Sequence, residues 1–350
     1  MSIPVNFNES SLSALALAKV GNPLRNEPLL TSKALCHFDE DEANLLTGCF
    51  LKSFKSLELH HLKGNRGPES NPLFEYAGAV FNSPEQLLTA STEIAKHLYA
   101  KSHHPNIKNG DLCISLIEGI IIEGTATQGL CIIKSENKVP FLQISELNGD
   151  LTLTTQHGIY PDKIDKGCLV VNHRKNNGFV VYLFDKSGNT HFWKRDFAGA
   201  APVRDEDYLT RRFGELCVDF AHRGLPEEIN EEHRMAVAGR ALNYLNESKQ
   251  FDLSDFERTL DDPELIEQFT LFRKNYQEET GNTLEDRFTV SGPEARKAKK
   301  RLTGRLRLDT GAELRFSSAF IDQAEKLLER GYDEQKEMHY LKIYFDHQLQ

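Results

Sequence analysis

Between Asp111 and Trp193, short apolar segments alternate with turn residues, and this pattern constrains the fold more than any other feature of the sequence. The turn residues include Asn148-Gly149 and Asn176-Asn177-Gly178, which favour tight hairpins. The segments read CISLIEGIII, LCIIK, FLQI, LTLTT, CLVVN, FVVYLF and THFWK. The sequence therefore predicts a mostly antiparallel β-meander over residues 111–193.

The chain before and after the meander contains helical patterns. Leu15 and Leu17 alternate with alanines and fit an opening strand or a helix. Apolar periodicity predicts helices near 83–102, 205–220, 226–247, 254–260 and 263–279. A final α/β unit is predicted from a strand at Glu313–Phe316, a helix near 318–330 and a strand at Tyr340–Phe345. The predicted fold is α+β, with a mixed domain at 1–200 and a mainly helical domain at 201–350.

Composition indicates a cytoplasmic globular protein that does not enter a membrane. Hydrophobic residues make up 39% of the 350 residues and charged residues 27%. The most apolar stretch, Leu112–Ile122, contains polar residues and is shorter than the roughly 20 residues of a membrane span. The six cysteines form no CxxC pair, and four lie inside apolar runs, which predicts reduced, buried thiols.

Motifs of the common enzyme and cofactor sites are missing from the sequence. The adjacent pairs His60-His61 and His103-His104 are poorly spaced to chelate one ion. No HExxH, GxSxG, GxxxxGK[ST] or GxGxxG occurs. We therefore expect no cofactor, no metal and no small-molecule substrate.

A magnesium-dependent nuclease is the best enzymatic hypothesis. Some nucleases place an acidic residue on one strand and a Glu-x-Lys pair at the end of the next, where they hold Mg²⁺. Glu118 or Glu123, followed by Glu136 and Lys138, follows that order. Because Glu-x-Lys is common by chance, this reading stays a minor alternative.

Charge is unevenly distributed in the second half of the chain. The formal net charge of the whole protein is −10, which argues against a simple polycation coating nucleic acid. Residues 226–290 contain 16 acidic and 7 basic residues, a net charge of −9. Residues 294–307 contain 7 basic residues and only Glu294 as an acid, a net charge of +6. A strongly acidic helical region therefore precedes a compact basic segment.

The basic segment, residues 292–307, is the candidate DNA-binding site. Ser291 and Glu294 predict a capping box, and Gly304 a C-terminal stop, for a helix near 292–303. Its apolar face would contain Ala295, Ala298 and Leu302. The predicted phosphate contacts are Arg296, Lys297, Lys299, Lys300, Arg301, Arg305 and Arg307. The alternative is a solvated helix whose cations pair with its own dipole and with acidic neighbours at 255–267.

A second basic group accompanies the only tryptophan. It consists of Lys194 and Arg195 beside Trp193, followed by Arg211 and Arg212. An aromatic ring beside cations can stack on unpaired bases. Nearby acidic residues nearly cancel these charges, so the preferred interpretation of Trp193 is a core residue at the end of a strand.

Six strings spread over most of the chain carry a family resemblance. They are KVGNPL (19–24), IAKHLYAKSHHPNIKNGDL (94–112), GLCIIKSENK (129–138), KIDKGCLVVN (163–172), YLTRRF (208–213) and ERGYDEQKEMHYLKIYF (329–345). With these strings the chain resembles the bacterial nucleoid-associated proteins of the NdpA type, in their Bacteroidetes-like version.

The resemblance implies a cytoplasmic, non-enzymatic protein of the nucleoid that binds DNA with little sequence preference. It does not identify the residues that contact DNA. Because the protein is acidic as a whole, two arrangements stay open. Either the basic segment binds phosphates while the acidic region faces away, or the acidic helices at 226–290 recruit a chromosome-processing protein.

Overall fold

The computed structural model describes residues 5–54, 57–188, 191–280 and 283–347. The chain divides after Val203 into two compact units. The antiparallel sheets and the helices together form an α+β fold, as predicted. That the units are independent domains with a boundary near residue 200 stays a prediction. None of the described helices is long and apolar enough to span a bilayer.

The first unit is built on a large antiparallel sheet. Its strands are β1 (Val5–Asn6), β2 (Ser11–Val20), β3 (Leu29–Thr31), β4 (Leu59–Leu62), β5 (Gly110–Ile122), β6 (Thr125–Ser135), β7 (Val139–Leu147), β8 (Asp150–Gly158), β9 (Lys166–Val171), β10 (Val180–Asp185) and β11 (Ala200–Pro202). Within the described residues, nine of these form one sheet in the order β11-β4-β10-β9-β6-β5-β2-β3, with β1 beside β5. β7 and β8 form a separate hairpin. The opening segment is thus a strand, and the meander is confirmed.

Helices cover both faces of this sheet. They are α1 (Glu40–Leu51), α2 (Pro72–Asn82) and α3 (Leu87–Lys101). Because strand side chains alternate, Leu112 and Ile114 of β5 pack in the core under α2 and α3, whereas Cys113 packs in the core under α1. Burial on both faces explains why the strands read as nearly continuous apolar runs.

The segment THFWK is not a strand, so this part of the meander prediction was wrong. His191–Phe197 forms a π-helix, and Thr190 lies outside the described residues. Trp193 is fully buried, and its Nε1 donates a hydrogen bond to the Gly167 carbonyl at 2.9 Å. A buried indole requires such an acceptor. The interpretation of Trp193 as a core residue is therefore confirmed, but its secondary structure is not.

The second unit is mainly helical, and its described residues also form three short antiparallel strand pairs of three, five and six residue pairs. Its helices are α4 (Glu206–Asp219), α5 (Glu231–Glu247), α6 (Leu253–Leu260), α7 (Pro263–Thr280), α8 (Gly292–Arg301), α9 (Ser318–Ile321) and α10 (Ala324–Leu327). Its strands are β12 (Gln250–Asp252), β13 (Arg287–Thr289), β14 (Thr303–Arg307), β15 (Glu313–Ser317), β16 (Leu328–Asp333) and β17 (Met338–Ile343). They pair as β12–β13, β14–β15 and β16–β17.

A cluster of phenylalanines forms the centre of the second unit. Phe213 of α4 lies 4.1 Å from Phe251 and 5.0 Å from Phe256, measured between ring centroids. Asp205 caps α4 by accepting a hydrogen bond from the Tyr208 amide, as expected for an acidic helix start. The predicted helix near 318–330 was wrong. That segment forms the short helices α9 and α10 and then enters β16, which pairs with β17.

Candidate nucleic-acid interface

Helix α8 carries five of the seven predicted DNA-binding residues. Its Ala295 is buried, and Leu302, directly after the helix, is buried in the same core, with Ala298 packed against it. This confirms the predicted apolar face. The remaining surface of α8 therefore turns its basic side chains toward solvent.

The two predicted end signals of this helix do not act as expected. The Ser291 side chain makes no capping hydrogen bond, and Glu294 instead pairs with Lys297 at 2.6 Å. The helix ends at Arg301, and Gly304 is a buried residue of β14. A Cβ atom at Gly304 would lie 1.6 Å from the Met235 sulfur. Glycine at this position thus allows β14 to pack closely against α5.

The cations of α8 differ in whether an acidic group neutralises them. Lys297 pairs with Glu294, and Lys299 pairs with Asp322 at 2.8 Å. The other three cations of α8, Arg296, Lys300 and Arg301, are exposed and have no acidic partner among the described residues. Arg296 and Lys300 are four residues apart and are therefore neighbours on the helix surface, and Arg301 directly follows Lys300 in the last turn. We call these three residues the helix cations.

The two remaining predicted residues lie on the β14–β15 hairpin. Arg305 and Arg307 alternate with the buried Gly304 and Leu306, so both point to solvent. Arg305 is the cross-strand partner of Arg315, and Arg307 is that of Glu313. We call Arg305, Arg307 and Arg315 the hairpin cations.

Glu313 partly neutralises the hairpin cations. Its carboxylate pairs with Arg305, with Arg315 at 2.8 Å and with Arg307 at 3.5 Å. The hydrogen bonds from Arg305 and Arg315 lower the pKa of Glu313 to about 2. One carboxylate therefore remains ionised among three guanidinium groups, which leaves the hairpin with a surplus of positive charge.

Arg211 joins the helix cations although it is distant in sequence. A groove of about 280 Å³ between α4 and α8 is lined by Arg211, Lys297 and Arg301, together with Glu215, Asp219 and Glu294. Gly214 permits this approach, because a Cβ atom there would lie 3.0 Å from the Ala298 Cβ. The sequence analysis grouped Arg211 with Lys194 and Arg195 and did not predict that Arg211 lies beside α8.

Arg315 was also missed as a candidate. The signal that could have found it is the alternation of Thr303, Arg305 and Arg307 against a second alternating strand. The ion pairs described for the basic segment come from Glu294, Glu313 and Asp322. Among the described residues, no ion pair joins the acidic residues at 255–267 to this segment, so the alternative that they neutralise it has no support from ion pairing.

The residues of the proposed nuclease site do not meet. Glu118 of β5 accepts a hydrogen bond from Gln128 at 3.0 Å, and Glu123 lies in the turn between β5 and β6 and pairs with Arg174 at 2.7 Å. Glu136 lies beyond the other end of the eleven-residue strand β6, roughly 35 Å along the strand. Lys138 pairs with Asp111 instead. Among the described residues, no group of three or more His, Cys, Asp or Glu side chains is arranged to hold a metal ion.

Glu136 has a different role, in a buried ion network. Its Oε1 accepts hydrogen bonds from Lys134 at 2.8 Å and contacts Lys166 at 2.9 Å, and all three side chains are at most 3% exposed. Burial lowers the pKa of Lys134. The Asp165 carboxylate accepts hydrogen bonds from the Glu136 and Asn137 amides.

This network joins three of the strings that carry the family resemblance. Lys134 also donates to the Lys108 carbonyl at 2.7 Å, so the loop before β5 is fixed to the end of β6 and the start of β9. The strings 94–112, 129–138 and 163–172 each contribute a residue. Residues from these three strings therefore pair with one another through hydrogen bonds and ion pairs inside the first unit.

Most of the sequence matches a known family. A model of the family described as nucleoid-associated protein YejK matches residues 22–339. The chain belongs to this family. The resemblance to nucleoid-associated proteins is therefore confirmed. Comparison with curated proteins finds no significant match.

Membership of the family supports a nucleoid-associated role. The matched range includes all of α8 and β14–β15, and it also includes the acidic helices α5, α6 and α7. The match extends over parts of both units, so the helix cations and the buried ion network both belong to the family region.

Proposed function

We propose that this nucleoid-associated protein binds DNA directly, with little sequence preference, through contacts to phosphates. The observation that carries the proposal is the group of helix cations, which are exposed and have no acidic partner in the described part of the chain. Unpaired guanidinium and ammonium groups can neutralise phosphates without first breaking an ion pair. We propose a cytoplasmic, non-enzymatic protein of the nucleoid that needs no cofactor.

The composition of this surface supports backbone contact over base reading. Bidentate readout of adenine uses Asn or Gln, and discrimination of thymine uses small apolar groups, whereas Arg and Lys can read guanine and also bind the phosphates of any sequence. The exposed side chains of α8 beyond its first turn are instead Arg296, Lys297, Lys300 and Arg301. Seven phosphate partners are available when Lys299, Arg305 and Arg307 also contribute. We infer a sequence-tolerant interface positioned by charge.

The acidic helices make the net charge of −10 compatible with this proposal. Their charged residues include Asp255, Asp261, Glu264 and Glu267, all exposed. Interactions between exposed charges are largely screened beyond about 8–10 Å in physiological salt. A local basic surface can therefore bind DNA although the protein as a whole is acidic.

Salt dependence tests the proposal. We expect a labelled duplex of about 30 base pairs to bind with a log–log salt slope of roughly −4.5 to −6, because five to seven phosphates are engaged. Fluorescence anisotropy across a salt series measures the slope. A second duplex of unrelated sequence serves as the control and should give a similar affinity. No binding at low salt, or strong preference for one sequence, would contradict the proposal.

One observation favours a second function, recruitment of a chromosome-processing protein through the acidic helices. Leu271 of α7 is 61% exposed on a helix that also presents Glu264, Glu267, Glu278 and Glu279. An exposed aliphatic side chain among carboxylates suits a basic, partly apolar protein surface. A complex that survives nuclease treatment and is lost in Leu271→Asp would support recruitment. The Thr270→Asp variant, also exposed on α7, is the matched control.

A further inference from the structure

A groove lies beside the hairpin cations, between the end of β14 and the pair of strands β16 and β17. Its volume is about 520 Å³, and its lining includes Leu306, Arg307, Tyr332, His339 and Leu341. We call it the aromatic groove. Sites for small ligands have volumes of about 300–1,000 Å³, so this groove is large enough to hold one.

The register of β16 and β17 brings two rings of the aromatic groove together. Tyr332 is the direct cross-strand partner of His339, so their side chains share one face of the strand pair. The ring centroids are 5.1 Å apart, and the ring planes meet at 67°. An edge-to-face pair leaves ring faces uncovered, and Tyr332 is 53% exposed. A further planar ring can therefore stack at this surface.

The rest of the lining combines aliphatic side chains with an exposed cation. Leu306 is buried, and Leu341 packs against the core of the second unit. The Arg307 side chain is 70% exposed, and its contact with Glu313 at 3.5 Å is the longest that this carboxylate makes to the three hairpin cations. None of the described residues that line the groove is acidic. This lining suits a planar ring that is joined to an anion.

We propose that the aromatic groove binds one unpaired nucleotide of a DNA strand. The base stacks on Tyr332 and His339, and Arg307 contacts the adjoining phosphate. Arg330 also lines the groove, but it already pairs with Glu232 at 2.6 Å. Because every base has a π-face, stacking tolerates any sequence. This site rests on the proposed function, since the same DNA also engages the helix cations.

The path of the chain connects the aromatic groove to the helix cations. Helix α8 ends at Arg301, and β14 begins two residues later at Thr303. Arg305 and Arg307 follow on the exposed face of β14, about 7 Å apart along the strand. Basic side chains therefore lead from α8 to the groove. A DNA strand whose phosphates follow these cations reaches the groove with one of its bases.

Base pairing decides whether a nucleotide can enter the aromatic groove. A base in a fully paired duplex must first unpair and leave the stack, whereas a base that is already unpaired avoids most of this cost. Fully paired DNA therefore engages the cations alone. Stacking releases no counterions, so an unpaired base should strengthen binding without changing the salt slope.

Fluorescence anisotropy of the full-length protein with three labelled duplexes of about 30 base pairs tests the site. One duplex is fully paired, one carries a central bulge of three thymidines, and one carries the same bulge made of abasic residues. We expect the thymidine bulge to bind about 5–100-fold more tightly than the abasic bulge, which is the effect of stacking one base. The abasic bulge controls for the altered flexibility of the DNA. Both bulged duplexes should give the same salt slope.

Two protein variants locate the stacking surface. Tyr332→Leu should bind the two bulged duplexes equally and keep its affinity for the fully paired duplex. Phe345→Leu is the matched control, because Phe345 is 71% exposed and does not line the groove. This control should retain the preference for the thymidine bulge. Both replaced rings are exposed, so the circular dichroism spectra should match that of the unmodified protein.

The groove site and the proposed function fail in different ways. No binding to any of the three duplexes would contradict both. Equal affinity for the thymidine and abasic bulges, or a preference that survives in Tyr332→Leu, would overturn only the groove site. Thymidine monophosphate in equimolar amount to the DNA should not compete, because it makes only one phosphate contact. Competition would overturn the proposal in favour of a site for free nucleotides.

Discussion

Replacing Glu136 with glutamine is expected to lower the free energy of unfolding by about 3–5 kcal/mol, the cost of breaking a buried ion pair on one side. Lys134 and Lys166 both contact the Glu136 Oε1 and are almost completely buried. An amide oxygen can still accept hydrogen bonds but supplies no negative charge. Urea denaturation followed by circular dichroism measures the change.

A glutamate in an exposed ion pair provides the matched control. Glu123 also contacts two basic groups, His173 and Arg174, but its side chain is 43% exposed. Exposed pairs contribute about 0–1 kcal/mol, so Glu123→Gln should change stability by no more than that. Equal losses in the two variants would contradict a special role for the buried network.

The pH dependence of Glu136→Gln provides an independent test. Burial already lowers the pKa of Lys134 below its usual 10.5, and the Glu136 carboxylate counteracts part of that shift. Without the carboxylate, the folded-state pKa falls further. Between this pKa and 10.5, the folded state then binds fewer protons than the unfolded state, so stability rises with pH. The difference in the free energy of unfolding between Glu136→Gln and the unmodified protein should therefore shrink between pH 7 and about pH 9.5.

Replacing the three helix cations with glutamine is expected to lower DNA affinity by about 10²–10³-fold at about 0.1 M salt. Loss of three phosphate contacts should also reduce the salt slope by about 2.7. The variant is Arg296→Gln/Lys300→Gln/Arg301→Gln. Because phosphate contacts carry no sequence information, the loss should be similar on unrelated duplexes. Fluorescence anisotropy measures both quantities.

A control with the same change in net charge separates local contact from the overall field. Three exposed lysines of the second unit, outside α8 and β14–β15, are replaced by glutamine: Lys249, Lys274 and Lys336. This control should bind nearly as tightly as the unmodified protein. If both triple variants lose affinity equally, the helix cations are not the contact site. All six replaced side chains are exposed, so both triple variants should keep the fold of the unmodified protein.

Features encoded by neighbouring residues were predictable from the sequence. The strands of the meander follow from apolar runs and from turns such as Asn148-Gly149, whose φ values the structure confirms as positive. The apolar face of α8 follows from the helical spacing of Ala295, Ala298 and Leu302. Local periodicity determines these features, because it fixes which side chains share a face.

Tertiary contacts decided what local patterns left open. Trp193 lies in a π-helix instead of a strand, and its buried indole donates to the Gly167 carbonyl, 26 residues away. The capping box of Ser291 and Glu294 does not form: the Ser291 amide, which the Glu294 side chain would have to accept from, instead donates to the Thr210 Oγ1 of α4 at 2.8 Å. In each case an interaction of the folded chain outweighed a weak local preference.

The sequence alone determined the α+β class, the family and the position of a basic segment. Only the tertiary structure decided which of its cations are free, because Glu313 and Asp322 reach Arg305 and Lys299 from other elements. The tertiary structure also shows that Glu136, a nuclease candidate from the sequence, lies at the centre of a buried ion network instead. Charge pairing depends on distances in space, and residues far apart in sequence come within about 4 Å only when the chain has folded.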